Sequence, residues 1–135
     1  MSKVTPFVYQ ATLERVIDGD TIDVTLDLGF DVRLHKQRVR LAGIDTPESR
    51  TRNLEEKALG LKAKDRLIEL CCGTMKLKSL GKGKYGRILG VPYTELDEDI
   101  CEILVVEGHA VEYWGGTKKA KVREDGTWGE VDEEG

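Results

Sequence analysis

The sequence predicts a domain of the α+β class that is mainly β-structure: a five-stranded barrel with one helix between its strands and a second helix after the last strand. Two patterns predict this class. Residues 21–28 alternate between apolar and polar side chains, which is the period of a half-buried strand. Residues 54–72 place apolar side chains close to a 3.6-residue period, which is the period of an amphipathic helix.

The first half of the chain predicts three strands. A mixed run over 7–17 gives the first strand and the alternating run over 21–28 gives the second. Residues 18–20, Asp-Gly-Asp, lie between them and are typical of a tight turn. Residues 32–41 predict the third strand, because apolar side chains alternate with arginines at its end.

The remainder predicts two helices and two strands, in the order helix 54–72, strand 74–80, strand 85–91 and a helix over 97–107. Gly73 and Gly108 end the helices, and Pro92 ends the fifth strand. This order agrees with an oligonucleotide/oligosaccharide-binding barrel (OB-fold), which has a helix between its third and fourth strands. The pattern by itself does not distinguish this barrel from other small β-folds.

The charge of the chain is unevenly distributed. Lys and Arg total 21 against 25 Asp and Glu, which gives a formal net charge of −4. Residues 124–135 hold six of the acids and no Lys or Arg, so the preceding part is slightly basic. Charge therefore neither supports nor excludes a nucleic-acid partner. We expect a domain over 1–114, followed by an acidic, poorly ordered tail over 115–135.

The cysteine count and the apolar runs exclude several classes of protein. Three cysteines without a secretion signal argue against a disulfide framework, and the two histidines stand at no zinc-like spacing from them. No apolar run approaches the ~18–20 residues of a membrane span. The N-terminus shows no signal-peptide pattern. We expect a cytoplasmic monomer that does not contact membranes; a cellular, plasmid or viral source stays open.

Two acidic segments lie at the ends of predicted strands: residues 18–21, Asp-Gly-Asp-Thr, and residues 45–48, Asp-Thr-Pro-Glu. Loops at strand ends bring side chains from distant segments together on a rigid scaffold. Carboxylate oxygens without histidine or cysteine suit a hard cation such as Ca²⁺ or Mg²⁺. Ordinary turn chemistry explains the same residues without a metal, since Asp, Gly and Pro all favour turns.

A third segment, residues 81–87, combines a Gly-Lys-Gly loop with Lys84, Tyr85 and Arg87. Such a loop can hold phosphates, although a lysine-rich loop that is merely solvated has the same composition. Together with Arg40 and the acidic segments, it forms a set suited to phosphoryl chemistry. Metal and guanidinium groups offset the negative charge of the transition state, and a carboxylate can orient or deprotonate water.

The three motifs VIDGDT at 16–21, RLAGIDTPE at 40–48 and KYGR at 84–87 resemble the staphylococcal nuclease (thermonuclease) family, in the family's order. Residues 101–110 also resemble the helix that precedes the family's C-terminal region. The resemblance covers residues 8–114. It implies a five-stranded OB barrel and Ca²⁺-dependent endonuclease activity that hydrolyses DNA and RNA phosphodiesters and leaves 3′-phosphates.

The resemblance also implies roles for the acidic residues. Asp20 and Asp45 match the carboxylate ligands of Ca²⁺, and Thr46 matches the residue whose backbone carbonyl also binds the metal. Asp18 matches an acid that lies just behind these ligands. Glu48 matches the proposed general base, a role that is debated in the family.

For the remaining residues the resemblance implies contacts with nucleic acid. Arg40 and Arg87 match the two arginines that contact the scissile phosphate. Lys84 and Tyr85 match residues that bind the terminal phosphate of a nucleotide inhibitor. Trp114 stands where the family has a tyrosine beside the bound base, and an aromatic ring there can stack on a nucleobase.

Two departures from the family pattern are visible. Gly83 stands where the family often has Asp, which we expect to loosen the loop that holds Arg87. Residues 115–135 do not resemble the family's C-terminal helix, because they contain several glycines and little apolar periodicity. Contacts that the family makes through that helix are therefore not implied for this chain.

The alternative is a catalytically silent nucleic-acid- or protein-binding module of the same fold. Such modules usually lack some of the metal and arginine positions, whereas this chain has all five: Asp20, Arg40, Asp45, Glu48 and Arg87. A carbohydrate-binding barrel rests on fold analogy alone. The sequence therefore predicts a metal-dependent phosphodiesterase acting on DNA and RNA, and it leaves the preference between them, and between single and double strands, open.

Overall fold

The computed structural model describes residues 7–71, 73–83 and 86–131. Within these ranges the strands and helices follow one another in the order β1 (Val8–Asp18), β2 (Thr21–Asp27), β3 (Arg33–Leu41), β4 (Ile44–Asp45), α1 (Leu54–Leu70), β5 (Thr74–Lys82), β6 (Ile88–Tyr93), α2 (Ile100–Val106), β7 (Val111–Glu112), β8 (Ala120–Val122) and β9 (Trp128–Glu130).

Five of the strands close into a barrel in the order β1-β2-β3-β6-β5. All neighbouring pairs are antiparallel except β3 and β6, which run parallel. The predicted five-stranded OB barrel with a helix between its strands is therefore confirmed. Its interior is filled by apolar side chains that alternate inward along the strands, with those of the two helices packed on top: Ile22, Val24, Val39, Leu41, Leu67, Leu77, Ile100 and Leu104.

Several element boundaries differ from the prediction by a few residues, and two of these differences have a clear physical reason. Strand β6 continues through Pro92, which pairs with Leu77. The proline is tolerated because the β3 ladder already ends at Gly90, so no partner on that side needs its missing N–H. Helix α2 begins at Ile100 rather than near Asp97, because the side chain of Asp99 caps it and accepts a hydrogen bond from Glu102 N at 3.0 Å.

The C-terminal segment also differs from the poorly ordered tail that the sequence predicts. Strands β8 and β9 form an antiparallel hairpin in which Val122 pairs with Trp128. The Trp128 side chain is only 8% exposed, and its indole Nε1 donates to the backbone oxygen of Asp45 at 3.0 Å. Burial of the ring and this hydrogen bond give the hairpin a fixed place against the barrel.

Neither helix in the described residues combines the length and the apolar character needed to cross a membrane.

Candidate active site

One end of the barrel carries a polar cavity of about 180 Å³. The turn between β1 and β2, the segment from the end of β3 to β4 and beyond, and the residue before β6 all reach it. Its described lining residues are Asp18, Asp20, Thr21, Arg40, Asp45, Thr46, Pro47, Glu48, Arg87 and Lys118. The cavity thus brings together acidic and basic side chains that are far apart in sequence.

The β1–β2 turn places Asp20 at the cavity. Its backbone oxygen accepts a hydrogen bond from Leu41 N at 2.8 Å, which ties the turn to the end of β3. Its carboxylate accepts hydrogen bonds from Thr21 Oγ1 at 3.0 Å and from Thr46 N at 3.2 Å. Asp20 therefore also links the turn to the segment that follows β4.

Gly19 allows this turn to lie directly beneath helix α1. A Cβ at this position would lie 2.7 Å from the Cβ of Ala63 and 3.1 Å from Thr46 Oγ1. Any larger residue would push the turn, and Asp20 with it, away from the cavity.

Arg40 lines the cavity and also stabilises the backbone next to it. Its guanidinium donates to the backbone oxygens of Leu41 and Ile44, each at 2.7 Å, and lies 3.5 Å from the carboxylate of Asp20. These hydrogen bonds fix the reversal between β3 and β4 and hold the planar group at one orientation. A fixed guanidinium is suited to bidentate contact with a phosphate.

Asp45 is the most unusual charge in the cavity because it is 5% exposed. Burial raises the pKa of its carboxyl, and the negative charge of Asp20 raises this pKa further. Lys118, whose Nζ lies 3.4 Å from Asp45 Oδ1, acts in the opposite direction but does not reverse the shift. The positive charge near Asp45 therefore only partly compensates the burial of its carboxylate.

Asp18 and Glu48 are held by the chain around them. The carboxylate of Asp18 accepts hydrogen bonds from both the backbone N and the hydroxyl of Ser49. Glu48 N donates to Glu56 of α1 at 3.0 Å, and Gly60 of α1 lies against the Glu48 carbonyl, where a Cβ would approach to 2.5 Å. The backbone beneath Glu48 is thus fixed, while its side chain is exposed at the cavity.

A larger groove of about 1150 Å³ shares Asp18, Thr21 and Arg87 with the cavity. It runs along β1, β2 and β3, where Arg15 and Arg38 both pair with Asp23. Arg87 borders both spaces and is half-buried. Arg87 therefore lies where the groove and the acidic cavity meet.

The comparisons with known proteins agree with this architecture. A family model described as "Staphylococcal nuclease homologue" matches residues 38–129, which include the end of β3, the second acidic segment, Arg87 and most of the C-terminal hairpin. The chain belongs to the staphylococcal nuclease family. The resemblance inferred from the three motifs is thereby confirmed, and the match extends past residue 114, where the sequence places the end of the domain.

Several curated proteins are similar to this family member. The "Micrococcal nuclease" of Shigella flexneri is 34% identical over 127 residues, which cover 86% of this chain and 66% of that protein. "SPbeta prophage-derived endonuclease YokF" of Bacillus subtilis (strain 168) is 37% identical over 103 residues, which cover 73% of this chain and 32% of that protein. "Endonuclease YncB" of the same organism is 34% identical over 113 residues, which cover 81% of this chain and 50% of that protein. This chain thus spans less than two thirds of each relative.

The structure places most of the predicted site residues of this staphylococcal nuclease homologue in the cavity. Seven of them line it: Asp18, Asp20, Arg40, Asp45, Thr46, Glu48 and Arg87. Lys84 and Tyr85 lie outside the described residues. Trp114 does not line the cavity; its side chain is 75% exposed and its ring packs on Gly43, in the turn before β4.

Sequence reasoning missed two residues of the site, Ser49 and Lys118. Ser49 follows the acidic motif directly, but only the folded structure shows that it binds Asp18. Lys118 stands beside Lys119 in a lysine-rich stretch, and no sequence signal separates the two.

The residues at the cavity fit a hard divalent cation. Two carboxylates, Asp20 and Asp45, lie there with other oxygen donors, and the buried Thr46 Oγ1 has no hydrogen-bond partner in the described part of the chain. Among the residues that the structure describes, no group of three or more His, Cys, Asp or Glu side chains lies together as a metal site, so the side chains supply two carboxylates and not a full acidic cluster. Since Ca²⁺ takes about 6–8 oxygens, backbone oxygens and water must complete its shell.

Replacing Asp45 by asparagine is expected to raise the melting temperature at neutral pH, in the absence of Ca²⁺, by about a few degrees. The folded-state pKa of Asp45 lies above its unfolded-state value. Stability is therefore lost as pH rises through the folded-state pKa, and the neutral amide avoids this loss. Thermal melts of Asp45→Asn with a chelator check this, with Asp65→Asn on the exposed face of α1 as control. A lower melting temperature for Asp45→Asn than for Asp65→Asn would contradict it.

Proposed function

We propose that this chain is a Ca²⁺-dependent nuclease that hydrolyses phosphodiester bonds of DNA and RNA and leaves 3′-phosphate ends. One observation carries the proposal: a single cavity is lined by two acids, Asp20 and Asp45, together with two arginines, Arg40 and Arg87. The family membership and the printed names of the relatives, which are nucleases and endonucleases, agree with this function.

In this proposal each residue of the cavity has its own role. Arg40 and Arg87 bind the scissile phosphate and offset the charge that grows on its oxygens in the transition state. Glu48 lines the cavity and is exposed, so its carboxylate can orient a water molecule or accept its proton. Asp20 and Asp45, with Thr46, would hold Ca²⁺. A bound calcium ion supplies further positive charge next to the phosphate.

Asp18 acts as a positioning residue in this scheme. Its carboxylate holds Ser49, the neighbour of Glu48, through two hydrogen bonds. The Glu48 backbone is therefore held between the Asp18–Ser49 contact on one side and helix α1 on the other. Such preorganisation keeps the acceptor group close to the phosphate that the arginines bind.

Plasmid nicking tests the proposal. The full chain is incubated with supercoiled plasmid, or with labelled RNA, in CaCl₂ and in excess chelator, and Asp20→Asn is run beside it. We expect nicking in CaCl₂, none in chelator, and a loss of at least about 10²-fold for Asp20→Asn. The new ends should accept a polymerase only after phosphatase treatment.

Three results would contradict parts of the proposal. Cleavage that persists in chelator would exclude the metal dependence, and ends that polymerase extends directly would exclude the 3′-phosphate product. Retention of nucleic acid in a mobility-shift assay without any cleavage would favour the silent binding module.

A further inference from the structure

Lys118 places a positive charge of the chain itself inside the proposed cation site. Its Nζ lies 3.4 Å from Asp45 Oδ1, and its side chain is 56% exposed while that of Asp45 is 7% exposed. The lysine thus reaches from the surface to the buried carboxylate, and it lines the cavity together with Asp20 and Thr46.

The segment that carries Lys118 is fixed at both ends near the site. On its N-terminal side β7 pairs with β4, so that Val111 lies opposite Asp45, and Tyr113 N donates to the Gly43 oxygen at 2.9 Å. On its C-terminal side the β8–β9 hairpin binds the Asp45 backbone through Trp128. The chain on either side of Lys118 is therefore tied to the segment that carries Asp45.

In the same position the ammonium group of Lys118 also faces an aromatic ring. The ring of Tyr113 lies 5.6 Å from Lys118 Nζ, and the tyrosine hydroxyl donates to the Gly116 oxygen at 2.7 Å. An aromatic face at this distance attracts a cation. The Tyr113 ring therefore offers the ammonium group a contact besides the Asp45 carboxylate.

From this geometry we propose that Lys118 is an internal counter-ion that occupies the Asp45 side of the cation site until Ca²⁺ displaces it. The inference rests on the function proposed above, because it assumes that Asp45 is a metal ligand. A divalent ion and an ammonium group cannot both lie against one carboxylate oxygen without strong repulsion. Metal uptake must therefore break the Lys118–Asp45 pair, and the pair lowers the affinity of the site for Ca²⁺.

Calorimetric titration of CaCl₂ tests the inference directly. Lys118→Gln removes the competing charge, and we expect it to bind Ca²⁺ roughly two- to fivefold more tightly than the unmodified chain, the range that a partly exposed ion pair provides. Lys119→Gln is the matched control, because Lys119 is exposed and is not among the described residues of the cavity. It removes the same charge from the same stretch, and it should change the affinity by less than Lys118→Gln does.

Melting temperatures in chelator give a second readout that needs no metal. Introduced into the otherwise unmodified chain, Lys118→Gln should lower the melting temperature. Introduced into the Asp45→Asn protein, it should leave the melting temperature unchanged, because the ion pair is then already broken. Additive effects of the two substitutions would overturn the inference.

The calcium titration separates two kinds of failure. Equal Ca²⁺ affinity of Lys118→Gln and Lys119→Gln would overturn the role of Lys118 and leave the metal site standing. If none of the proteins binds Ca²⁺, the metal dependence proposed above fails and the inference falls with it.

Discussion

Replacing Arg87 by alanine is expected to lower the rate of phosphodiester cleavage by roughly 10²–10³-fold, the usual cost of losing one preorganised contact to transition-state charge. Arg87 borders both the acidic cavity and the adjoining groove, so it faces any phosphate that passes between them. Because its side chain is half-buried and lies outside the barrel core, the melting temperature should change little. Initial rates of plasmid nicking and a thermal melt measure the two effects.

Two further variants sharpen this test. Arg87→Lys should recover little of the rate, because an ammonium group lacks the planar two-pronged fork. Arg33→Ala removes the same charge from an exposed position at the start of β3 and should cleave at close to the normal rate. Equal losses for Arg87→Ala and Arg33→Ala would show that Arg87 contributes only to general attraction between the protein and nucleic acid.

Arg40 is the less clear test of catalysis. Its guanidinium holds the Leu41 and Ile44 carbonyls besides facing the cavity. Arg40→Ala should therefore lose both activity and stability, since two buried backbone acceptors lose their donor.

Replacing Trp128 by alanine is expected to destabilise the fold by about 3–5 kcal/mol, the range for removal of a buried aromatic ring. For a domain of this size the melting temperature should fall by roughly 10 °C or more. The ring is 8% exposed and its Nε1 donates to the Asp45 oxygen, so the loss combines packing with an unpaired carbonyl next to the cavity. Chemical and thermal denaturation followed by circular dichroism measure the effect.

Matched variants separate the two contributions of Trp128. Trp128→Phe keeps an aromatic ring but loses the hydrogen bond, and it should cost about 1 kcal/mol. Trp114→Ala removes a ring that is 75% exposed and should cost less than Trp128→Ala. A chain ending after Arg123 should lose as much stability as the Trp128→Ala protein. Normal melting of that shortened chain would show that the hairpin does not stabilise the barrel.

The barrel was predictable because its signal is local. Alternation over 21–28 and the helical period over 54–72 depend on residues that are neighbours in sequence, and both correspond to β2 and α1. The C-terminal hairpin was not predictable in this way. Residues 115–131 are rich in glycine and charge, and Trp128 is buried only because it meets the Asp45 segment of the folded barrel.

The same difference between local patterns and long-range contacts applies to the residues of the site. The residues within the three motifs could be named from the sequence because motif order and spacing identify the family. Contacts between segments could not be named. The Ser49–Asp18 hydrogen bonds and the Lys118–Asp45 pair join residues 31 and 73 positions apart, and their formation depends on how the turns pack. Local patterns carry no information about such distances.

The hydrogen bond from Trp128 to Asp45 has a consequence for the order in which the protein folds. It joins residues 83 positions apart, whereas the barrel strands are complete by Tyr93. Closing so long a loop costs more entropy than pairing adjacent strands, so the hairpin should dock after the barrel has formed. The backbone of Asp45 then becomes rigid last during refolding and loosens first on heating. Activity should disappear at a lower temperature than the β-structure does, and slow proteolysis should begin in residues 115–131.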